Sequence, residues 1–322
     1  DPKNVPSASI PRLLGLRNKA LKNSTLIESY HSQLAEAQAT LLKRSERNIS
    51  ITYPPLPVSE NREAILKLID ENQICIIQGD TGSGKTTQIP KMCMELGLGY
   101  RGVIGCTQPR RIAALSIADR LREETGEDDL IGHKIRFMEE CPESLHVKVM
   151  TDGILLQEFK TDRFLNQYSC IILDEAHERS LNIDILLGIL RPLLRKRKDL
   201  KLIITSATID AEHFSNFFDK APILQVDGRM FPVEIEYWDT DEIAQEYALE
   251  SYSMTDATID AIKHIQAQRK DHLLAFLPTE KDITEVEKGL DSLSREFLIL
   301  PLFGRLCPQE QKRIFAPSNK PK

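Results

Sequence analysis

The sequence predicts a doubly wound parallel α/β domain, and three observations carry that prediction. Five short runs, at 74–77, 103–106, 147–150, 170–173 and 202–205, are almost continuously apolar. Strands covered by helices on both faces read this way, without the alternation of a half-exposed sheet. Helical stretches such as Arg111–Thr125 and 182–194 lie between them, as crossovers joining parallel strands do. Chemistry-bearing residues also stand directly after several of the runs. In such sheets function gathers at the carboxyl ends of the strands.

Ahead of this domain, residues 1–57 read as a helical extension. Thr25 and Glu28 have the spacing of a capping box. Leu26, Tyr30, Leu34, Ala37 and Leu41 then recur at helical spacing as one apolar stripe, which predicts a helix packed on the main body. Lys43, Arg44 and Arg47 close it, where cations complement the helix dipole. Tyr53-Pro54-Pro55-Leu56-Pro57 breaks the helix and marks a linker. The main domain occupies 58–228. A second α/β run follows over 229–322, with strands expected at 233–237 and 273–277 and a helix at 258–268. It holds fewer residues than the roughly 100–150 of a usual domain, so the second domain is expected to be incomplete.

Composition bounds the function. Of 322 residues, 41% are apolar and 28% charged, which supplies a core and argues against a disordered chain. No apolar run approaches the roughly 20 residues of a membrane span, so a soluble, cytoplasmic protein is expected. The chain opens at Asp1 rather than Met, as a piece of a longer protein does. Net charge is −6, which disfavours gripping nucleic acid by bulk charge. Residues 1–57 hold eight Lys/Arg against four Asp/Glu, so the remainder carries about −10 and any nucleic-acid groove must be local. The six cysteines form no C-x-x-C pair and read as buried free thiols rather than a metal site. The basic residues at 191, 195, 196, 197, 198 and 201 read as a solvated helix end. Trp238 has no partner pattern.

Gly79-Asp80-Thr81-Gly82-Ser83-Gly84-Lys85-Thr86 satisfies G-x-x-x-x-G-K-[ST] and follows the first strand. Glycines let backbone N–H groups wrap a phosphate without Cβ clashes, and the next helix points its positive end at the anion. Lys85 brings a mobile charge to the β- and γ-phosphates of ATP, and the Thr86 hydroxyl ligates Mg²⁺. Asp174-Glu175-Ala176-His177 follows the 170–173 strand. Asp174 is thereby placed to hold Mg²⁺, and Glu175 to orient and deprotonate an attacking water.

Three further segments stand at strand ends: Thr107-Gln108-Pro109-Arg110-Arg111, Thr151-Asp152-Gly153 and Ser206-Ala207-Thr208. Together with the two motifs above, the chain resembles superfamily 2 RNA helicases of the DEAH-box class, throughout 58–228. Ile51-Thr52-Tyr53-Pro54 and Glu178-Arg179-Ser180-Leu181-Asn182-Ile183-Asp184 are similar to the bacterial HrpA type. The likeness continues through Phe276-Leu277-Pro278, 301–306 and 310–315. It implies two RecA-like domains that hydrolyse ATP with Mg²⁺ while moving on single-stranded RNA. It further implies that His177 bridges the ATP site to Ser206 and Thr208, which couple nucleotide state to domain movement. Arg110, Arg111, Thr151 and Gly153 are implied at the RNA backbone, and Arg120 and Phe315 on either face of the adenine. Two departures stand out. Thr279 replaces a glycine usual after Phe276-Leu277-Pro278, and nothing resembles the late Q-x-x-G-R-x-G-R segment that supplies an arginine finger. Two other functions therefore stand beside an active helicase: a nucleotide-dependent RNA clamp, and a fragment that only binds nucleotide.

Overall fold

The structure is a computed structural model that describes residues 4–46, 49–207, 210–228, 233–238 and 252–322. The chain divides into two compact units, Asp1–Met230 and Phe231–Lys322.

The first unit is built on one eight-stranded sheet. Its strands are β1 Ile74–Gly79, β2 Val103–Gln108, β3 Ile131–Ile135, β4 Met138–Glu140, β5 Val147–Thr151, β6 Tyr168–Leu173, β7 Lys201–Ser206 and β8 Ile223–Val226. The order across the sheet is β4-β3-β5-β2-β6-β7-β1-β8, with only β4 antiparallel to its neighbour. All five strands expected from the apolar runs are present. Three more escaped that reading. In β3, Gly132, His133 and Lys134 interrupt the apolar pattern; β4 is exposed throughout; β8 is half exposed at the opposite edge.

Alternate residues of the central strands feed two separate cores, as period-two geometry requires. Cys75, Ile77, Ile104, Cys106, Val149 and Ile172 face one layer, which holds α4 (Arg62–Glu71), α5 (Lys85–Glu95) and α7 (Arg111–Thr125). Ile76, Met150, Ile171, Leu173 and Ile204 face the other, with α8 (Asp152–Thr161), α9 (Leu181–Lys196) and α10 (Ala211–Phe217). Burial on both faces explains why the runs lack alternation. Four cysteines, Cys75, Cys93, Cys106 and Cys170, are buried free thiols as expected, whereas Cys141 is half-buried and Cys307 exposed.

The N-terminal extension forms α1 (Ile10–Ala20) and α2 (Ile27–Ser45). The stripe residues Tyr30, Leu34 and Ala37 pack against Val5, Ile10 and Leu13, so the main partner of α2 is α1 rather than the sheet domain. Arg44 ties the pair down by donating to Gly99 O and Leu145 O, both at 3.1 Å. The capping box does not form. Asn23 Oδ1 instead accepts from both the N–H and the hydroxyl of Thr25, which leaves that hydroxyl pointing away from the helix. Arg47 lies outside the described residues.

The basic run is solvated only in part: Arg195, Lys196 and Lys198 are exposed as expected, whereas Arg197 and Lys201 serve the fold. Arg197 is buried, donates to the carbonyls of Phe164, Leu165 and Tyr168 and pairs with Asp199. Lys201 donates to Ile69 O, Asp70 O and Asn72 O at the end of α4, and Arg191 and Arg195 pair with Asp219.

Among the described residues of the second unit the helices are α11 (Met254–Gln268), α12 (Glu280–Gly289) and α13 (Pro308–Lys312). Residues 233–237 and 273–277 are not strands, against expectation. A strand needs a partner ladder. Among the described residues the 273–277 run makes an isolated backbone bond, Leu273 N–H to Lys322 O at 2.9 Å, and no ladder. Thr279, the departure from the glycine, caps α12 through a capping box with Asp282. Trp238 finds an edge-on partner in His264, ring centres 5.6 Å apart.

Candidate nucleotide site at the carboxyl end of the sheet

The loop between β1 and α5 is shaped by backbone geometry that only glycine adopts freely. Gly82 and Gly84 have φ of 83° and 94°. A Cβ on Gly84 would also lie 2.8 Å from Leu56 Cδ1, so the linker leucine braces the loop from behind. Val58 N–H adds a bond to Ser83 O at 3.1 Å. Gly84 is the N-cap of the eleven-residue α5, so the N-terminal N–H groups of that helix face the loop. Lys85 is buried; its Nζ donates to Gly79 O, Asp80 O and Ser83 Oγ. Burial pulls its pKa below the ordinary lysine value, opposed by Glu175, Asp174 and Asp80. Those three acids therefore stand close enough to be felt at one ammonium.

Asp174 follows β6 and is fully buried. Gln108 Nε2 donates to its Oδ2 at 2.6 Å, and the Thr205 hydroxyl donates to its Oδ1. Thr205 Oγ1 also accepts from Glu175 N–H at 3.3 Å. Glu175 has φ of 53°, an uncommon conformation for a side-chain-bearing residue that marks a constrained turn. Burial and the neighbouring Asp174 push its carboxyl above the usual range, opposed by His177 and Lys85. His177 Nδ1 accepts from Ala207 N–H at 3.2 Å, which leaves the ring proton on Nε2, 3.3 Å from Glu175 Oε2. Thus Ala207, next to buried Ser206 at the end of β7, reaches Glu175 through one imidazole. Thr208 lies outside the described residues.

The remaining expected residues separate into groups. Arg110, Arg111, Thr151 and Gly153 follow or end the adjacent strands β2 and β5. Arg110 is exposed and pairs with Glu178 at 3.4 Å. Gly153 is exposed, and a Cβ there would meet only Asn182 Nδ2, at 3.7 Å. Between Thr151 and Gly153, Asp152 is buried beside Thr107, Glu178 and Asp174. Arg120 lies on α7 and donates to Glu124 at 2.7 Å; Glu124 in turn accepts from Gln88 and from fully buried Lys91 on α5, at 2.9 and 2.6 Å. Phe315 belongs to the second unit and is 57% exposed.

Among the described residues no group of three or more His, Cys, Asp or Glu side chains could hold a metal by itself. The buried Asp174 carboxylate and the Thr86 hydroxyl are hard oxygen donors. Mg²⁺ characteristically takes one or two such protein ligands and completes its shell with water and phosphate, so the residues fit that ion.

Gln108, Thr205 and Glu124 were not assigned roles from sequence. Gln108 and Thr205 could have been flagged, because each adjoins a strand-end motif. Glu124 is a surface-like acid in an amphipathic helix and gave no signal.

Comparison with known proteins agrees with this geometry. The DEAD/DEAH box helicase family matches residues 59–217. Over 274 residues the chain is 50% identical to an ATP-dependent RNA helicase HrpA homolog of Haemophilus influenzae, covering 84% of this chain and 21% of the relative. It is 46% identical over 305 residues to the ATP-dependent RNA helicase HrpA of Escherichia coli, covering 92% and 23%. The HrpA helicase of Borreliella burgdorferi is 39% identical over 273 residues, covering 83% and 33%. The chain thus spans between a fifth and a third of the length of these curated relatives. Residues 59–217, which carry the phosphate loop and the paired strand-end acids, are thus a DEAD/DEAH box helicase domain.

Proposed function

We propose that this chain is the nucleotide-hydrolysing portion of an ATP-dependent RNA helicase, with 58–228 as the ATP-binding domain and 229–322 as the start of a second RecA-like domain. The observation that supports it most is the Asp174-Glu175-His177 turn after β6, whose acids act on Lys85 after β1 across the one intervening strand, β7. Gly79, Asp80, Thr81, Gly82, Ser83, Gly84, Lys85 and Thr86 cradle the phosphates through backbone N–H groups and the lysine. Asp174 and Thr86 hold Mg²⁺, which neutralises charge on the phosphate oxygens when bound. Glu175 takes the proton from the attacking water. Its raised pKa brings it nearer the operating pH, where a general base is most effective. His177 fixes the Glu175 carboxylate and links it to the backbone beside Ser206 and, through the same segment, Thr208. Arg110, Arg111, Thr151 and Gly153 touch the RNA backbone, which suits a protein that tracks any sequence. Arg120 and Phe315 sandwich the adenine. A cytoplasmic location is part of this proposal, as RNA is the partner. No helix of the described residues is long and apolar enough to cross a membrane. Unwinding belongs to the protein of which this chain covers the matched part.

The test is calorimetric. Lys85→Ala removes a charge-assisted phosphate contact and is expected to weaken Mg²⁺·ATP binding roughly 10- to 100-fold. Unchanged affinity would refute the phosphate-loop assignment. Single-stranded RNA added to the unaltered chain should raise phosphate release; no change at low salt would refute RNA as the partner.

A further inference from the structure

Gln108 is one of the buried polar side chains to which the proposed function gives no role. It is 2% exposed and ends β2, and the β2–β6 register that pairs Thr107 with Leu173 sets it opposite Asp174. Its amide nitrogen must face the carboxylate. An ionised Asp offers acceptors only, so the amide oxygen at 2.6 Å would put two acceptors in contact. Asp174 is 0% exposed, with one oxygen taken by Thr205 and the other by Gln108. Gln108 therefore fixes the rotation of this carboxylate about its Cβ–Cγ bond. Two residues on, Arg110 pairs with Glu178, so the turn after β2 touches the acidic turn after β6 at two points.

We propose that Gln108 is a positioning residue for the metal site: it holds Asp174 in the orientation that receives the nucleotide-bound divalent cation. This rests on the assignment of Asp174 as the metal-facing acid. Two physical effects act together. The N–H donor satisfies an oxygen of a carboxylate that burial has removed from water. It also removes the need to order that carboxylate when the cation arrives. Partners of this kind, one bond behind a ligand, typically contribute 10- to 100-fold to metal affinity. Thr205 alone cannot substitute, because it engages only the other oxygen.

The experiment measures Mn²⁺ binding by electron paramagnetic resonance, in the presence of a saturating β,γ-imido analogue of ATP. The unaltered chain is compared with Gln108→Leu, which keeps the volume and loses the donor, and with Gln108→Glu, which keeps the shape and loses the donor. Asp174→Asn is the control for the metal site. Binding of the analogue in EDTA is measured alongside and reports the phosphate loop. Expected are a 10- to 100-fold loss of Mn²⁺ affinity in both Gln108 variants, larger in Gln108→Glu, and metal-free analogue affinity within about twofold of the original. Where Gln108→Leu fails to fold, Gln108→Glu decides alone. Mn²⁺ affinity preserved within twofold, while Asp174→Asn loses it, overturns the assignment of Gln108. Equal loss with and without metal also overturns it, because that pattern reports general damage. Metal-dependent binding that is missing from the unaltered chain, or that Asp174→Asn leaves intact, refutes the Asp174 assignment itself, and Gln108 falls with it.

Discussion

Asp152→Asn should flatten part of the pH dependence of stability. Asp152 is 2% exposed, and its Oδ1 is buried without a hydrogen-bond partner. Burial, helped by Glu178 and Asp174 and opposed by the nearby Thr107 hydroxyl, pushes its pKa from 3.8 to about 6. The folded carboxyl thus keeps its proton over a range in which the unfolded one has lost it. For this group, stability is greatest below about pH 4, falls as pH rises through about 6, and is level above that. A shift of about two units corresponds to roughly 3 kcal/mol as an upper bound. Asparagine carries no charge at any pH in the range. Part of the Asp152 contribution is already lost at pH 4.5, so the gap between variant and original should move in the variant's favour by up to about 2 kcal/mol between pH 4.5 and 7.5, whatever its offset at pH 4.5. For a unit of this size about 2 kcal/mol is on the order of 4–8 °C in melting temperature. The assay is thermal unfolding of both proteins by circular dichroism in steps of one pH unit, without nucleotide. A gap that stays constant across the range would refute the reasoning.

Other outcomes follow from the same geometry. Glu175→Gln should keep Mg²⁺·ATP binding, since Lys85, Thr86 and Asp174 are untouched, yet lose most phosphate release; normal turnover would mean that another group activates the water. Glu124→Ala leaves Lys91 buried with its charge uncompensated, so a urea melt should show a loss of about 3–5 kcal/mol; a loss below about 1 kcal/mol would contradict the pairing. Gly84→Ala faces both a left-handed backbone and the Leu56 side chain, and should cost at least about 1 kcal/mol. It should weaken ATP binding as well, and an unaffected Kd by calorimetry would mean that the loop relaxes without consequence.

The sequence made the centre of the sheet legible because those strands are buried on both faces, and burial leaves a compositional mark. Edge strands carry no such mark: β4 is stabilised by its ladder to β3, not by its side chains. The same limit explains the second unit. Leu273-Leu274-Ala275-Phe276-Leu277 has the composition of a strand, but composition does not supply a neighbour to pair with, and Phe276 is 88% exposed. Phosphate-loop and strand-end residues were legible because their chemistry demands fixed spacing. Partners brought in by the fold were not. Gln108 and Asp174 are 66 positions apart, and Lys91 and Glu124 are 33, so no local pattern announces either contact. The basic run misled in part, for a related reason. A cluster of cations looks the same in sequence whether it faces water or, like Arg197, satisfies carbonyl groups inside the domain.

The strand order β5-β2-β6-β7-β1 has a consequence for how the domain works as a mechanical object. Neighbouring strands are about 4.8 Å apart, so the turn after β2, with Arg110, sits roughly 14 Å sideways from the turn after β1, with Lys85. That interval spans two intervening strands. What fills it is β6 and β7, each ending in a residue that touches its neighbour: Gln108 to Asp174, Thr205 to Asp174 and Glu175, Ala207 to His177. The sheet is thus a stiff ruler with a soft, hydrogen-bonded margin. A shift at one end of that margin need only tip the adjoining turn, and each turn can pass the tilt to the next while the strands beneath stay still.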